Sequence, residues 1–220
     1  MKNLIIIGDG ETAELAHDYF LRDSKYKIIE HAVDSKFKTK DKIGNRKVIT
    51  IEELENKYDK KNVFIFVAMS YTKLNTIREK YFWYFKEKGY KFASYISSRA
   101  SIWHDVQIGE NAFILEGNII QKGCKIKDNT TLWSGNHIAH RSIINENCFI
   151  ASHVAISGYV NIGKNTYIGA NSTIINNIEI GNFCYLNANS LIKTNLNSYV
   201  IVNSKKSEIS KIDTKKFFKI

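Results

Sequence analysis

The chain has 220 residues, 44% of them hydrophobic and 12% aromatic, enough for one large or two modest cores. No run approaches the roughly 20 apolar residues of a membrane helix. The short apolar stretch Leu4 to Ile7 is broken at Gly8, so no signal peptide is expected and the chain reads as cytoplasmic. Lys plus Arg exceed Asp plus Glu by 32 − 22 = 10, yet the charge is scattered except in the tail at Lys205, Lys206, Lys211, Lys215, Lys216 and Lys219. That distribution argues against nucleic acid and suits small polyanionic ligands.

In chain order, Lys2 to Ile7 reads as a buried strand, Gly8-Asp9-Gly10 as a tight turn, and the segment to about Leu21 as a helix. A strand over Lys27 to Val33 ends at Asp34. Thr50 and Glu53 have capping-box spacing at the start of a helix over Ile51 to Tyr58. A strand at Val63 to Ala68, a long helix from Thr72 to Lys88 stopped at Gly89, and a short strand near Phe92 to Tyr95 follow. Alternating buried strands and helices predict a small parallel, Rossmann-like α/β domain over residues 1–95. Gly8 and Gly10 supply part of a dinucleotide fingerprint, with Ala13 where a third glycine is expected. A ligand-free turn accounts for them equally well. As a binding site, the free amides at the helix start suit phosphate, and Asp34 suits a sugar or ribose hydroxyl.

From Ile96 a strict six-residue step begins. Every sixth position to Ile192 is Ile or Leu, which gives (192 − 96)/6 + 1 = 17 anchors without an insertion. Four residues after most anchors stands a small or β-branched residue, such as Ala112, Thr130, Ser172, or one of the three cysteines Cys124, Cys148 and Cys184. Asn118, Asn136, Ile178 and Leu196 fit that position less well. A helical period of 3.6 cannot stay in phase with six over this distance, whereas short strands joined by tight turns can. The cysteines are therefore expected as buried thiols rather than a disulfide framework. Gly109, Gly163, Gly169 and Gly181 directly follow anchors, where turn geometry is expected to favour a residue without Cβ.

Among six histidines, His17 and His31 fall in the α/β segment and are expected to be surface or structural. His104 starts the repeats without polar neighbours. His137, His140 and His153 cluster within Trp133 to His153. Counted from Ile138, His140 is third in its hexapeptide, where a side chain points outward near a turn, and one eighteen-residue coil later stands Gly158.

An α/β segment followed by hexapeptide coils, with Ile5-Ile6-Ile7-Gly8-Asp9-Gly10, Ala32-Val33-Asp34, Phe66-Val67-Ala68-Met69-Ser70 and His140 within its repeats, resembles the PglD/NeuD-type family of hexapeptide-repeat sugar acetyltransferases over nearly the whole chain. The resemblance implies a left-handed parallel β-helix of about five coils over residues 96–197, with a cap or tail over 198–220. It implies acetyl-CoA as donor, a nucleotide-linked amino sugar as acceptor for surface glycan biosynthesis, and a homotrimer whose active sites are shared between chains. In it His140 is the general base, the Gly158 amide contacts the acetyl carbonyl, and Ala170 and His153 lie along the coenzyme. Gly8, Gly10, Asp34 and Ser70 would hold the nucleotide sugar, with His137 and Trp133 near the acceptor. No metal is expected, because His137-x2-His140 lacks the His-x4-His spacing of the hexapeptide-fold carbonic anhydrases. The chain departs from the family at Gly10-Glu11-Thr12, where Gly-His-Gly is frequent, and at Arg141, where an acidic residue often follows the histidine. Any carboxylate orienting His140 must then come from elsewhere, with Glu116 and Glu146 as candidates. It also lacks the family's Pro-Ala-Lys near the C-terminus. A sugar O-acetyltransferase and a noncatalytic nucleotide-sugar-binding scaffold are the alternatives.

Overall fold

The computed structural model describes residues 1–205 and 208–220, so Lys206 of the basic tail lies outside the described residues. The N-terminal part runs β1 (Lys2–Ile7), α1 (Glu11–Arg22), β2 (Tyr26–Val33), β3 (Lys42–Ile43), β4 (Arg46–Thr50), α2 (Ile51–Lys57), β5 (Val63–Val67), α3 (Thr76–Glu87) and β6 (Lys91–Phe92). Its strands form one sheet in the order β3-β4-β2-β1-β5-β6, parallel except for the β3–β4 hairpin. The alternation of β1 sorts its side chains. Leu4 and Ile6 pack with Ala13, Ala16 and Phe20 of α1, whereas Ile5 and Ile7 face Leu54, Phe82 and Phe85 of α2 and α3. Thr50 caps α2 with the expected reciprocal bonds to Glu53.

Two features differ from the sequence reading. The β3–β4 hairpin, turning at Gly44, was hidden in a lysine-rich stretch; Gly44 sits at φ +54°. The third helix starts at Thr76 instead of Thr72, because Lys73, Leu74 and Asn75 all take left-handed conformations with φ of 52°, 51° and 63°. Docking explains that turn. Asn75 Nδ2 donates to Asn147 O at 2.7 Å, and Asn165 Nδ2 reaches Leu74 O at 3.2 Å.

Residues from Tyr95 to Val202 wind into a three-sided parallel β-helix. The first face carries anchors Ile96, Ile114, Leu132, Ile150, Ile168 and Leu186; the second carries Ile102 to Ile192 by eighteens, and the third Ile108 to Ile180. Each strand is two residues long, one pointing out and one in. The anchors from Ile114 to Ile192 are at most 3% exposed, so this column is the core. The cysteines are buried free thiols, and burial pushes Cys148 up to about 12. Asn118 and Asn136 fit inside because their amides bond one another and the carbonyls of Leu115 and Trp133.

The six-residue step fails after Ile192. Leu196 bridges to Ile180, and Ile201–Val202 pairs with Tyr185–Leu186, so the last coil is two residues shorter and the helix carries one further rung. Glycine also acts differently from the expectation. From Asn111 to Asn189 the positive-φ position is the third after each anchor, occupied by Asn in seven coil turns (Asn111, Asn129, Asn147, Asn165, Asn171, Asn177, Asn189), by Gly in three and by Arg141, His153, Tyr159 and Phe183 in the other four. Gly109, Gly163, Gly169 and Gly181 instead permit close stacking: a Cβ on Gly169 would lie 2.4 Å from Ala188 N in the next coil.

The α/β part sits on the first face and on the corner joining the third face to the first. Arg78 of α3, 1% exposed, is the centre of that junction. Its Nε donates to Val67 O (3.1 Å), Nη1 to Asn129 O (2.8 Å) and Thr131 Oγ1 (2.6 Å), and Nη2 to Asn111 O (2.8 Å). Burial lowers this guanidinium to about 9, so it remains charged at neutral pH. A buried ladder, Asn111 to Asn129 to Asn147, runs beside it with 2.7 Å steps, and Tyr71 packs on Phe149 and Tyr167. Beyond the coils, α4 (Thr214–Phe218) leaves Phe217 and Phe218 exposed. No described helix is long and apolar enough to cross a membrane.

Candidate active site

Two clefts concern the site residues. The first, of about 470 Å³, opens at the C-terminal ends of β1, β2 and β5, where strand order runs outward in both directions from β1. Open α/β sheets bind ligands in this position. Gly8, Gly10 and Ser70 line it together with Asp9, Thr12, Met69 and Tyr81. Gly8 is required there, at φ +131° with its missing Cβ 2.8 Å from Ala68 O; at Gly10 a Cβ would meet nothing within 4 Å. Gly10 caps α1 without a side-chain bond, and among the described residues the Glu11 and Thr12 amides have no acceptor. They are free for an anionic ligand.

Asp34 lies at the rim. Its carboxylate is already engaged by the Lys36 amide and ammonium and by the Tyr81 hydroxyl at 3.2 Å. Desolvation works against ionisation, but these donors hold the carboxyl below its ordinary range; burial, then Asp34, pushes Tyr81 up to about 12. Asp9, unremarked in the sequence, accepts from the Thr39 amide (2.7 Å) and hydroxyl (2.9 Å) and so ties the loop after β2 to this cleft.

The second cleft is a groove of about 320 Å³ on the β-helix, lined by Trp103, Ile119, Gln121, Lys122 and His140 among others. His140 stands exposed at the corner joining the second face to the third. Its ring lies over Gly158 one coil on: a Cβ at Gly158 would come within 2.7 Å of Cε1 and Nε2. The Gly158 N–H has no acceptor among the described residues. Gln121 joins two of the histidines, accepting from the His140 amide at 3.1 Å and lying 3.3 Å from His137 Nε2. His137 itself points out from the second face.

The remaining site residues lie elsewhere in this chain. His153 and Ala170 occupy the corner joining the first face to the second, across the second face from His140, and the His153 ring stacks over Gly135. Trp133 is at the junction of the two parts, beside Thr12, Met69 and Phe149, rather than in the His140 groove. Trp103 supplies the aromatic wall there. Trp103, Gln121 and Ala139 are one column separated by eighteen residues, so the same arithmetic that linked His140 to Gly158 was able to find them.

Neither carboxylate considered for orienting His140 is at its corner. Glu116 belongs to the first corner, where Tyr19 Oη (2.8 Å) and Ser134 Oγ (2.9 Å) donate to it. Desolvation opposes its charge, but its own amide, Tyr19, Ser134 and Arg99 hold it low. Glu146 belongs to the third corner. No carboxylate bonds the His140 ring among the described residues.

The family described as bacterial transferase hexapeptide (six repeats) matches residues 123–158 and 159–194. Solved structures similar over most of the chain include PerB from Caulobacter crescentus in complex with CoA and GDP-perosamine. It is 19% identical with a TM-score of 0.81, over 91% of this chain and 93% of that one. The acetyltransferase domain of PglB from Neisseria gonorrhoeae FA1090, in complex with acetyl coenzyme A, gives 19% identity and a TM-score of 0.81 over 91% and 95%. WeeI from Acinetobacter baumannii AYE gives 14% and 0.62 over 92% and 97%. No curated protein matches the chain by sequence. The chain therefore carries the bacterial transferase hexapeptide repeat and shares the fold of these structures, an α/β domain joined to a left-handed parallel β-helix.

Proposed function

We propose that the chain is an acetyl-CoA-dependent N-acetyltransferase acting on the amino group of a nucleotide-linked amino sugar for surface glycan biosynthesis. The observation that carries it is the His140 imidazole seated over Gly158 at an open corner, beside a groove, in a fold shared with enzymes solved with CoA and GDP-perosamine. The amine nitrogen attacks the thioester carbonyl carbon while His140 takes its proton, for which a neutral imidazole is suited near pH 7. The Gly158 amide is free to donate to the developing oxyanion. Collapse breaks the C–S bond, and the proton passes to the departing thiolate.

Residues 1–95 act as the nucleotide-sugar-binding part, through Gly8, Gly10, Ser70 and the α1 amides, with Asp34 at the rim. Residues 96–202, a rung beyond the bound of 197 expected from the sequence, carry the transfer, and the segment after Val202 is the tail. We place the reaction in the cytoplasm. The split between corners supports an oligomer. The α/β part covers the first face, leaving the second face with exposed Ile119 and Leu191 free for another copy. Packing copies there brings the His140 corner of one chain toward the His153 and Ala170 corner of the next, as a trimer with shared sites. Trp133 then contributes only from a neighbouring chain.

The test is coenzyme release from acetyl-CoA with UDP-, dTDP- and GDP-linked amino sugars, and the corresponding nonamino sugars as controls. Turnover confined to amino sugars supports the proposal. Turnover of the nonamino sugars alone would make it an O-acetyltransferase, and no turnover with tight binding would leave a sugar-nucleotide-binding scaffold.

A further inference from the structure

From Asn111 to Asn189 the third position after each anchor is left-handed, held by seven asparagines and three glycines and otherwise by Arg141, His153, Tyr159 and Phe183. At the His140 corner two consecutive coils break that habit. Arg141 (φ 57°) and Tyr159 (φ 58°) put large side chains where the backbone disfavours them. They also meet each other: Arg141 Nη1 donates to Tyr159 Oη at 3.1 Å, and the guanidinium lies 5.6 Å from the ring centre. The Tyr159 ring in turn stands against His140, with centroids 5.1 Å apart and planes at 89°, a favoured aromatic arrangement. Gly158 gives the imidazole a surface to lie on, and Tyr159 gives it a wall. Among the described residues no carboxylate bonds His140, Arg141 or Tyr159; Asp105, two coils before Arg141 in the same column, accepts from the Gly123 amide at 2.9 Å.

We propose that Tyr159, braced by Arg141, is a positioning residue that holds the His140 ring in its reactive orientation in place of the acidic partner this chain lacks. The inference rests on His140 being the base. Tyr159 makes no covalent or proton-transfer step; it removes orientations of the ring that would put Nε2 away from the acceptor.

Full-length Tyr159→Asn, Tyr159→Phe and His140→Ala proteins are compared with the wild type. The readouts are thermal midpoint, kcat and KM for acetyl-CoA with the best acceptor of the panel, and the NMR shifts of the His140 ring protons. Asparagine suits the left-handed backbone, so Tyr159→Asn is expected to keep or raise the midpoint while lowering kcat on the order of 10- to 100-fold, at a KM within about twofold. Tyr159→Phe keeps the ring and is expected to retain most of kcat. A purely structural Tyr159 would lower midpoint and kcat together. The His140 ring shifts should move in Tyr159→Asn and hold in Tyr159→Phe, which reports the contact itself, while kcat falling at unchanged KM and midpoint reports the positioning. Unchanged shifts, or unchanged kcat in Tyr159→Asn when His140→Ala is inactive, would overturn the inference. Full activity in His140→Ala would instead defeat the proposed function itself.

Discussion

Replacing Arg78 with Met removes the bonds that hold the α/β part against the β-helix while keeping similar apolar volume. Three carbonyls and a hydroxyl accept from the guanidinium, and those of Asn111 and Asn129 take no other bond among the described residues. Leaving a buried acceptor unsatisfied costs about 1–3 kcal/mol. Two orphaned carbonyls with the lost Thr131 bond thus amount to about 3–6 kcal/mol, reduced by the several kcal/mol of desolvation that the buried cation no longer incurs. We expect a net loss of about 1–3 kcal/mol, concentrated at the junction. Hydrogen exchange is the assay. Exchange should accelerate across α3 and the Lys73 to Asn75 turn, while amides between the inner coils, such as Ile144 and Ile162, remain protected. An unchanged midpoint with unchanged exchange at the turn would refute the reading of Arg78 as the clamp.

Acid should destabilise the fold through His31. Burial first, and His17 second, lower its pKa from 6.5 to about 4, and His17 Nδ1 lies 2.9 Å from its Nε2. A base whose folded pKa is depressed stabilises the fold fully above the unfolded value, and that contribution is lost as pH falls from about 6.5 to 4. The full effect is about 3 kcal/mol. Thermal midpoints from pH 7.5 to 4 should therefore fall more steeply in the wild type than in His31→Phe; parallel curves would contradict this. The glycines separate packing from chemistry. Gly169→Ala drives Cβ into backbone and should lose several kcal/mol, by analogy with other overpacked cores. Gly158→Ala meets only the His140 ring and should leave the midpoint near wild type while cutting kcat at least about tenfold. Equal midpoints for the two variants would undo that distinction.

The β-helix was legible because its inward column tolerates little but Ile and Leu, so the period survived in plain sequence from Ile96 to Ile192. Where the chain leaves the period, as at Leu196, a single sequence shows only a misfit at an expected small position. The long third helix was overextended because left-handed Lys73, Leu74 and Asn75 owe their conformation to Asn147 and Asn165, which are distant in sequence. Arg78 reads as one more surface arginine on a helix until its partners are known. At the site, the eighteen-residue step joined His140 to Gly158 correctly, but spacing gives no corner. His153 and Ala170, assigned to the coenzyme, and Trp133, assigned to the acceptor, stand away from the His140 corner of the same chain, a separation that nearness in sequence does not show. His17 and His31 are structural, as one expectation held, but buried against one another rather than on the surface.

The most direct test of the account is coenzyme A release from acetyl-CoA and a nucleotide-linked amino sugar by wild type and His140→Ala, with the fold of the variant checked by thermal midpoint. General-base loss predicts a fall in kcat of about 10²- to 10⁴-fold with the midpoint unchanged, since His140 is exposed and packs on little but Gly158 and Tyr159. Acetyl transfer at the wild-type rate by a folded His140→Ala protein would contradict it.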